Sequence, residues 1–178
     1  DEDQTPTGEG TPSPKPTATP KPIHVTVTQK DRTTTVSTEV EASVDKNTGV
    51  ASLQLKEDVV KALIAKSDEY EKASDNFVLE LTMKTDTDAR AYQIELKADV
   101  FKMVSELEHT AFQVDTGDVE VTFDNRSLDA IREKFGDQDI SIDIAKVEHQ
   151  TLSEEAREKV GDRPVYSFGV RSGETYLS

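Results

Sequence analysis

Apolar and polar residues alternate in short runs along most of the chain, and this alternation predicts β-strands. Two such runs flank the turn-like sequence from Lys30 to Arg32, and this pattern predicts a β-hairpin over residues 23–44. A second turn is predicted from Asp45 to Gly49, because Asn and Gly accept positive φ and Asp caps its own turn. The alternating apolar positions of the two strands are Ile23, Val25, Val27, Val36, Val40 and Val44.

A recurring unit follows, in which a short alternating strand precedes an amphipathic helix and another strand follows it. Residues 51–83, 92–114 and 119–144 each contain one such unit. Apolar residues in the helices recur at spacings of three or four, which places them on one face. In the third helix Ser127 is the expected N-cap and Gly136 the expected end. The apolar helix positions of the first two units are Val59, Val60, Leu63, Ile64, Val100, Phe101, Val104 and Leu107.

A fourth helix and a last strand complete the pattern. Thr151, followed three residues later by Glu154, predicts a capping box, and Gly161 predicts the end of that helix. Residues 165–170 predict a strand. The expected fold class is therefore α+β, with repeated strand–helix–strand units whose helices pack on a mainly antiparallel sheet.

The end of the chain predicts an incomplete edge of that sheet. After the last predicted strand, the sequence RSGETYLS supplies a turn and only the start of another strand. We therefore expect residues 23–178 to form a single α+β module that is truncated at its C-terminal end. An unpaired strand edge favours pairing with another chain, so we expect weak self-association through this C-terminal strand edge.

Residues 1–22 have the composition of a linker. They contain six of the seven prolines and five threonines, and Ala18 is their one aliphatic residue. Proline removes amide donors and favours extended polyproline geometry, which predicts a disordered, Thr/Pro-rich spacer that forms no core. A proline-rich ligand for an aromatic groove is the alternative interpretation.

The charge balance changes the set of expected partners. The net charge is −15, and after residue 22 there remain 32 acidic and 19 basic residues. Phosphate binding needs clustered Lys and Arg, so nucleic acid is not an expected partner. The chain has no cysteine and therefore no disulfide or thiol chemistry. It has no run of 18 or more apolar residues, and no basic segment with an apolar stretch opens it, so we expect neither a membrane span nor a signal peptide in these residues.

The order of the predicted elements resembles a known family. The segments GVASLQLKEDVVKALIAK, AYQIELKADVFKMVSEL with VDTGDVEVTF, SLDAIREKFGDQDISIDIAKV and TLSEEAREKVGDRPVYSFGV follow one another from about Val44 to Ser178. This order is similar to the accessory module that precedes S-layer homology (SLH) repeats in surface proteins of clostridia and related Gram-positive bacteria. The Thr/Pro-rich stretch resembles linkers of cellulosomal and other wall-attached proteins.

The resemblance implies a role and a location. It implies a secreted, extracellular module displayed at the cell surface, with protein or cell-wall components as partners. Its implied function is a non-catalytic structural or protein-interaction role in an S-layer or cellulosome-type protein. It implies no catalytic residue, cofactor or metal ligand.

One string in the chain is typical of enzymes. Asp115, Thr116 and Gly117 follow Val114, and a hydrophobic residue followed by Asp-Thr-Gly is the nucleophile-activating loop of aspartic peptidases. Those enzymes need two carboxylates that share a proton, and the chain has no second copy of the string. A tight turn between two strands explains all three residues, so we expect no enzyme activity.

Metal sites are also weakly indicated. Asp45, Asn47 and Gly49 resemble the start of a calcium loop, but Lys56 stands where an EF-hand needs a bidentate acid. Two acidic pairs could each offer oxygens to a weak calcium site, although acidic turn residues are the simpler interpretation. The three histidines lack zinc-ligand spacing. These further candidates are Asp86, Asp88, Asp137, Asp139, His24, His109 and His149.

Two other functions stay open at this stage. A carbohydrate or wall-polymer binding module would be indicated by a row of exposed Tyr or Phe on the sheet, although the chain has four Tyr, six Phe and no Trp. An extracytoplasmic sensing domain of a membrane regulator is the other alternative.

Overall fold

The computed structural model describes residues 22–178, so the predicted linker lies outside the described residues apart from Pro22. The described part contains ten strands and four α-helices. The strands are β1 (Thr26–Lys30), β2 (Thr33–Val44), β3 (Val50–Leu55), β4 (Asn76–Thr85), β5 (Ala91–Leu96), β6 (Thr110–Asp115), β7 (Glu120–Phe123), β8 (Ile140–Lys146), β9 (Tyr166–Ser172) and β10 (Thr175–Tyr176). The α-helices are α1 (Glu57–Asp68), α2 (Ala98–Ser105), α3 (Asn125–Phe135) and α4 (Glu154–Val160), and short 3-10 turns cover Glu71–Ala73 and His149–Thr151.

All ten strands belong to one curled sheet. Nine of them follow the order β10-β9-β8-β5-β3-β2-β4-β6-β7, and β1 pairs with the beginning of β2 beside this path. β2 is the longest strand and joins the two halves of the sheet. Its first ten residues pair with β4, and only Ser43 and Val44 pair with β3.

The predicted fold class, α+β with strand–helix–strand units on a mainly antiparallel sheet, is wrong. Strands make up 41% of the described residues and helices 28%. The sheet is mixed, because β2 pairs with β4, β4 with β6 and β3 with β5 in parallel. Antiparallel pairs lie at the hairpins and toward both ends of the sheet, for example β6 with β7 and β8 with β9.

The parallel pairs arise from the way the helices return the chain. The turn after β2 takes the chain into β3, in the other half of the sheet, and α1 brings it back to β4, which lies beside β2. The same course runs from β4 through β5 and α2 to β6. A crossover helix returns the chain to the end where the earlier strand began, so the two strands run parallel.

The core lies between the concave face of the sheet and the helices. α1 packs beside α2, and α2 packs beside α3. The predicted helix faces are confirmed at Val60, Leu63, Val100 and Val104, which are each at most 3% exposed. Leu107, predicted on the same face, lies beyond the end of α2 and is partly buried. The most buried apolar strand residues are Val36, Ala51, Leu79, Leu81, Ile94, Val114 and Ile144.

Two predicted helix caps are wrong, although the helices exist. Asp124 is the N-cap of α3 and accepts a hydrogen bond from the Ser127 amide at 2.8 Å, so Ser127 lies within the first turn. Ser153, not Thr151, caps α4. In both cases a second good capping residue lies two or three positions from the predicted one, and the competition is local. Gly136 ends α3 as predicted.

The curl of the sheet brings its two halves into contact. The rings of Phe123 on β7 and Phe168 on β9 meet edge to face with centroids 6.2 Å apart. The hydroxyl of Tyr92 on β5 donates to an Asp118 carboxylate oxygen at 2.9 Å, in the turn between β6 and β7. Among the described residues β7 pairs only with β6, and β9 pairs only with β8 and β10. An open seam therefore separates β7 from β9.

Candidate functional site

The peptidase-like string forms a turn. Asp115 ends β6, and its Oδ1 accepts a hydrogen bond from the Gly117 amide at 2.8 Å. Gly117 has φ of +86°, which glycine adopts without strain. The Thr116 amide donates to the Val119 carbonyl at 3.0 Å and closes the loop. The hairpin predicted at this position is confirmed, and each of these contacts serves the turn.

The calcium-like start at Asp45 is also a turn. The Asp45 Oδ1 accepts from the amides of Asn47 at 2.7 Å and Thr48 at 3.0 Å. These two amides hold the pKa of Asp45 below its ordinary value, because they stabilise the charged carboxylate. Lys56 is the N-cap position of α1 and lies outside this turn.

The acidic pair at the start of β8 is divided between two roles. Asp139 Oδ1 accepts from the Ala98 amide at 2.9 Å, and its Oδ2 accepts from the Lys97 ammonium at 3.2 Å. The Ala98 amide, and then Lys97, lower the pKa of Asp139. Asp139 therefore caps the first turn of α2 from a distant segment. Asp137 and the other pair, Asp86 and Asp88, are exposed turn residues.

The three histidines lie apart and make backbone contacts. The His24 carbonyl accepts from the Thr38 hydroxyl at 2.8 Å. The His109 carbonyl accepts from the Phe77 amide, also at 2.8 Å. His149 Nε2 lies 2.9 Å from the Arg163 carbonyl. Within residues 22–178 no three His, Cys, Asp or Glu side chains converge on a common metal position.

A pocket with both polar and apolar walls lies on the convex face of the sheet, and we call it the outer-face pocket. It has a volume of about 460 Å³ and is lined by Gln93, Asp143, Arg171, Glu174 and Tyr176 among others. The Arg171 guanidinium donates to Asp143 from Nε at 2.5 Å and from Nη2 at 3.4 Å. This hydrogen bond raises the pKa of Arg171. The Tyr176 hydroxyl also reaches Asp143, at 3.3 Å.

The aromatic ring of Tyr176 gives this pocket an apolar wall. Tyr176 is 54% exposed, and its ring lies over Gly169, where an added Cβ would stand 3.0 Å from the ring. Phe168, the other large exposed apolar residue of the described part, points to the opposite face, since it pairs with the buried Ile144. The two rings therefore form no row on one face of the sheet.

A second concave feature follows the edge of β2, and we call it the β2 groove. β1 pairs with Thr33 to Ser37 and β3 pairs with Ser43 and Val44, so residues 38–42 have no strand neighbour on that side within the described part. The space beside them has a volume of about 1080 Å³. Its walls are residues 22–24, the end of β3 and the start of α1.

The third feature is the free part of β9, residues 166–169, which we call the β9 edge. β10 pairs only with Arg171 and Ser172, so these four residues have a strand neighbour only on the β8 side within the described chain. Phe168 lies in the middle of the β9 edge and is 61% exposed.

Comparison with known proteins adds no relative to this picture. No family model, no curated protein and no solved structure matches the chain. In residues 22–178 no helix is both long enough and apolar enough to cross a lipid bilayer.

Sequence reasoning missed the β2 groove and the outer-face pocket. Asp143 and Arg171 are separated by 28 positions, and no local pattern pairs them. The β2 groove depends on how far β1 and β3 each extend along β2. One signal did exist for the β9 edge, since the short strand start after Gly173 indicated incomplete cover, and the pairing of β10 with only two residues agrees with it.

Proposed function

We propose that this chain is a non-catalytic structural or protein-interaction module of a bacterial cell-surface protein, of the S-layer or cellulosome type, that works outside the cell. The Thr/Pro-rich composition of residues 1–22 and the order of elements after them support this setting. The observation that carries the interaction role is the β9 edge.

The β9 edge offers backbone groups to a partner strand. The Leu177 amide donates to the Val170 carbonyl at 2.8 Å, so the backbone groups of Val170 face away from β8. Backbone direction alternates along a strand, so the amide and carbonyl of Phe168 face the same way. No strand within residues 22–178 pairs with them.

A second copy of the chain is the partner we propose for this edge, and its strand would approach beside the seam where Phe168 contacts Phe123. Two β9 edges that meet antiparallel would pair their Phe168 backbone groups and cover both exposed rings. The edge is short and the molecule carries a net charge of −15, so repulsion between copies keeps the association weak. Exposed strand edges are where such pairing occurs.

Sedimentation equilibrium tests the edge. The intact chain should associate weakly at high concentration, and Phe168→Lys should abolish this, since an edge lysine opposes strand pairing. Tyr176→Lys is the matched control, because Tyr176 is a similarly exposed aromatic residue on the convex face. It should associate as the intact chain does. A strictly monomeric intact chain, or equal loss in both variants, would contradict the role of the β9 edge.

The non-catalytic part of the proposal rests on where the enzyme-like residues lie. The Asp115 carboxylate is engaged by the Gly117 amide within its own turn. The acidic surface argues against nucleic acid as a partner.

Binding of carbohydrate or wall polymer is the second candidate, and the outer-face pocket favours it. Tyr176 supplies an exposed ring, and the paired Asp143 and Arg171 beside it offer planar charged groups that make directional hydrogen bonds. Calorimetric titration with chitin and peptidoglycan oligosaccharides tests this candidate. Binding that Tyr176→Ala removes and Phe168→Ala preserves would establish it. The absence of heat with both sugar classes would exclude it.

A further inference from the structure

We propose that the β2 groove is a binding site for an extended peptide of a partner protein, in which basic and apolar residues alternate. The peptide would add a strand between β1 and β3, antiparallel to β2. This inference rests on the proposed interaction role, because it requires a protein partner. It adds the chemistry by which that partner would be recognised. It uses a different surface from the β9 edge.

The backbone of β2 defines the hydrogen bonds that such a strand would make. The turn at Asp31 and Arg32 has positive φ at both residues and joins Lys30 directly to Thr33 as a closing pair. The backbone groups of Thr33 and every second residue after it therefore face β1. This alternation reaches Glu39 and Glu41.

A contact at the other end of β2 supports the same alternation. The Asp45 amide donates to the Val50 carbonyl at 2.9 Å, so Asp45 faces the β3 side. Glu39 and Glu41 lie an even number of positions before Asp45, so their backbone groups face the same side of β2. Their amides and carbonyls thus face the β2 groove, where no strand of the described part pairs with them. The amide and carbonyl of Val40 face β4 instead.

The inner side of the groove suits an apolar residue. A strand placed beside β2 would direct the residue opposite Val40 toward the core. There it would meet Val40, Leu53 and Val59, which line the groove and pack only partly against the core. Their remaining exposed surface would be covered by one branched apolar side chain.

The outer side of the groove suits basic residues. Peptide residues opposite Glu39 and Glu41 would lie directly across from two exposed carboxylates, one of them 68% exposed. Opposite charges directly across a strand pair are stabilising. The adjacent outward residue on β3 is the neutral Gln54. Lys56 and Asp58, near the start of α1, also line the groove and carry opposite charges that cancel. Lys84 lies one strand away on β4, where it already pairs with Glu39 at 3.3 Å. A basic–apolar–basic peptide is the best match to this surface.

Labelled synthetic pentapeptides test the proposal by fluorescence anisotropy with the intact chain. The probe is Thr-Lys-Val-Lys-Thr, and one control replaces both lysines with glutamate. A second control keeps the lysines but carries N-methyl groups on their amides, which removes the strand hydrogen bonds and retains the charge. The probe should bind at least about tenfold more tightly than either control.

Protein variants locate the site. Glu39→Lys combined with Glu41→Lys should weaken probe binding by at least about tenfold. Glu133→Lys combined with Glu158→Lys is the matched control, since it changes the net charge equally at two exposed helix acids, and it should leave probe binding within about twofold. Circular dichroism checks that both variants stay folded. In hydrogen exchange, the probe should protect the amides of Glu39 and Glu41.

The outcomes separate this inference from the proposed function. Equal binding of the probe and its N-methylated form would reduce the effect to charge attraction and overturn the inference. Loss of self-association in the doubly substituted β2 variant would make a second copy the occupant and would also overturn it. Phe168→Lys should bind the probe normally. If the probe fails while Phe168-dependent association persists, only the β2 site is wrong. If both fail, the interaction role itself is wrong.

Discussion

The hydroxyl of Tyr92 contacts Asp118 across the curled sheet, and the titration of Tyr92 measures how firmly its side chain is held in the folded chain. The Tyr92 side chain is 4% exposed, and its hydroxyl donates to Asp118. Burial, and then the hydrogen bond to the Asp118 carboxylate, raise the pKa of Tyr92 from 10.0 to about 12. Both causes favour the neutral phenol in the folded chain.

The direction and size of the effect follow from linkage. The pKa of Tyr92 is raised on folding, so its stabilisation is complete below pH 10 and is lost as the pH rises toward 12. A shift of this size corresponds to at most about 2.7 kcal/mol. Asp118 is exposed in the turn between β6 and β7, so solvent screening lowers the expected loss to about 1–2 kcal/mol.

Urea denaturation at pH 8, 10, 11 and 12 measures this loss for the intact chain and for Tyr92→Phe. At pH 8 the variant should be less stable by about 1 kcal/mol, because it lacks the hydrogen bond. The difference should shrink above pH 10 and vanish near pH 11. Asp118→Asn should keep the larger part of the pH dependence, since burial is its largest cause.

A parallel loss of stability in the intact chain and Tyr92→Phe between pH 10 and 12 would refute the reasoning. It would mean that the phenol titrates alike in the folded and unfolded chain. The Tyr92 side chain would then be neither buried nor hydrogen-bonded to Asp118 in the folded chain.

Three other predictions concern the turns and the outer-face pocket. Asp115→Asn should change the free energy of unfolding by less than about 1 kcal/mol, because the asparagine side chain keeps an acceptor for the Gly117 amide. Pepstatin-sensitive cleavage of a peptide library should be absent with both the intact chain and this variant. Millimolar calcium should raise the melting temperature no more than sodium chloride of equal ionic strength; a specific increase would indicate a site at the acidic turns. A double-mutant cycle of Arg171→Ala and Asp143→Ala should give a coupling of about 1–2 kcal/mol, since both side chains are less than a third exposed, and a value near zero would show that the pair does not hold β9 to β8.

Local patterns in the sequence were sufficient to predict the elements. Alternation at Ile140, Ile142 and Ile144 predicted β8, and these residues are at most 2% exposed. The spacing of Val100 and Val104 predicted α2 and its buried face. Such predictions succeed because side-chain direction depends on local backbone geometry, which repeats every two residues in strands and about every 3.6 in helices.

The tertiary structure alone decided which strands pair and in which direction. Alternation of buried residues is the same in parallel and antiparallel strands, so the pattern of β4 contained no sign that it would lie parallel to β2. Asp139 has an ordinary turn sequence around it, yet it caps α2 across 41 positions. The β2 groove exists because the pairing of β1 with β2 stops at Ser37 and the pairing of β3 with β2 starts only at Ser43. Where two strands diverge depends on contacts between distant segments, and no local pattern of the chain contains that information.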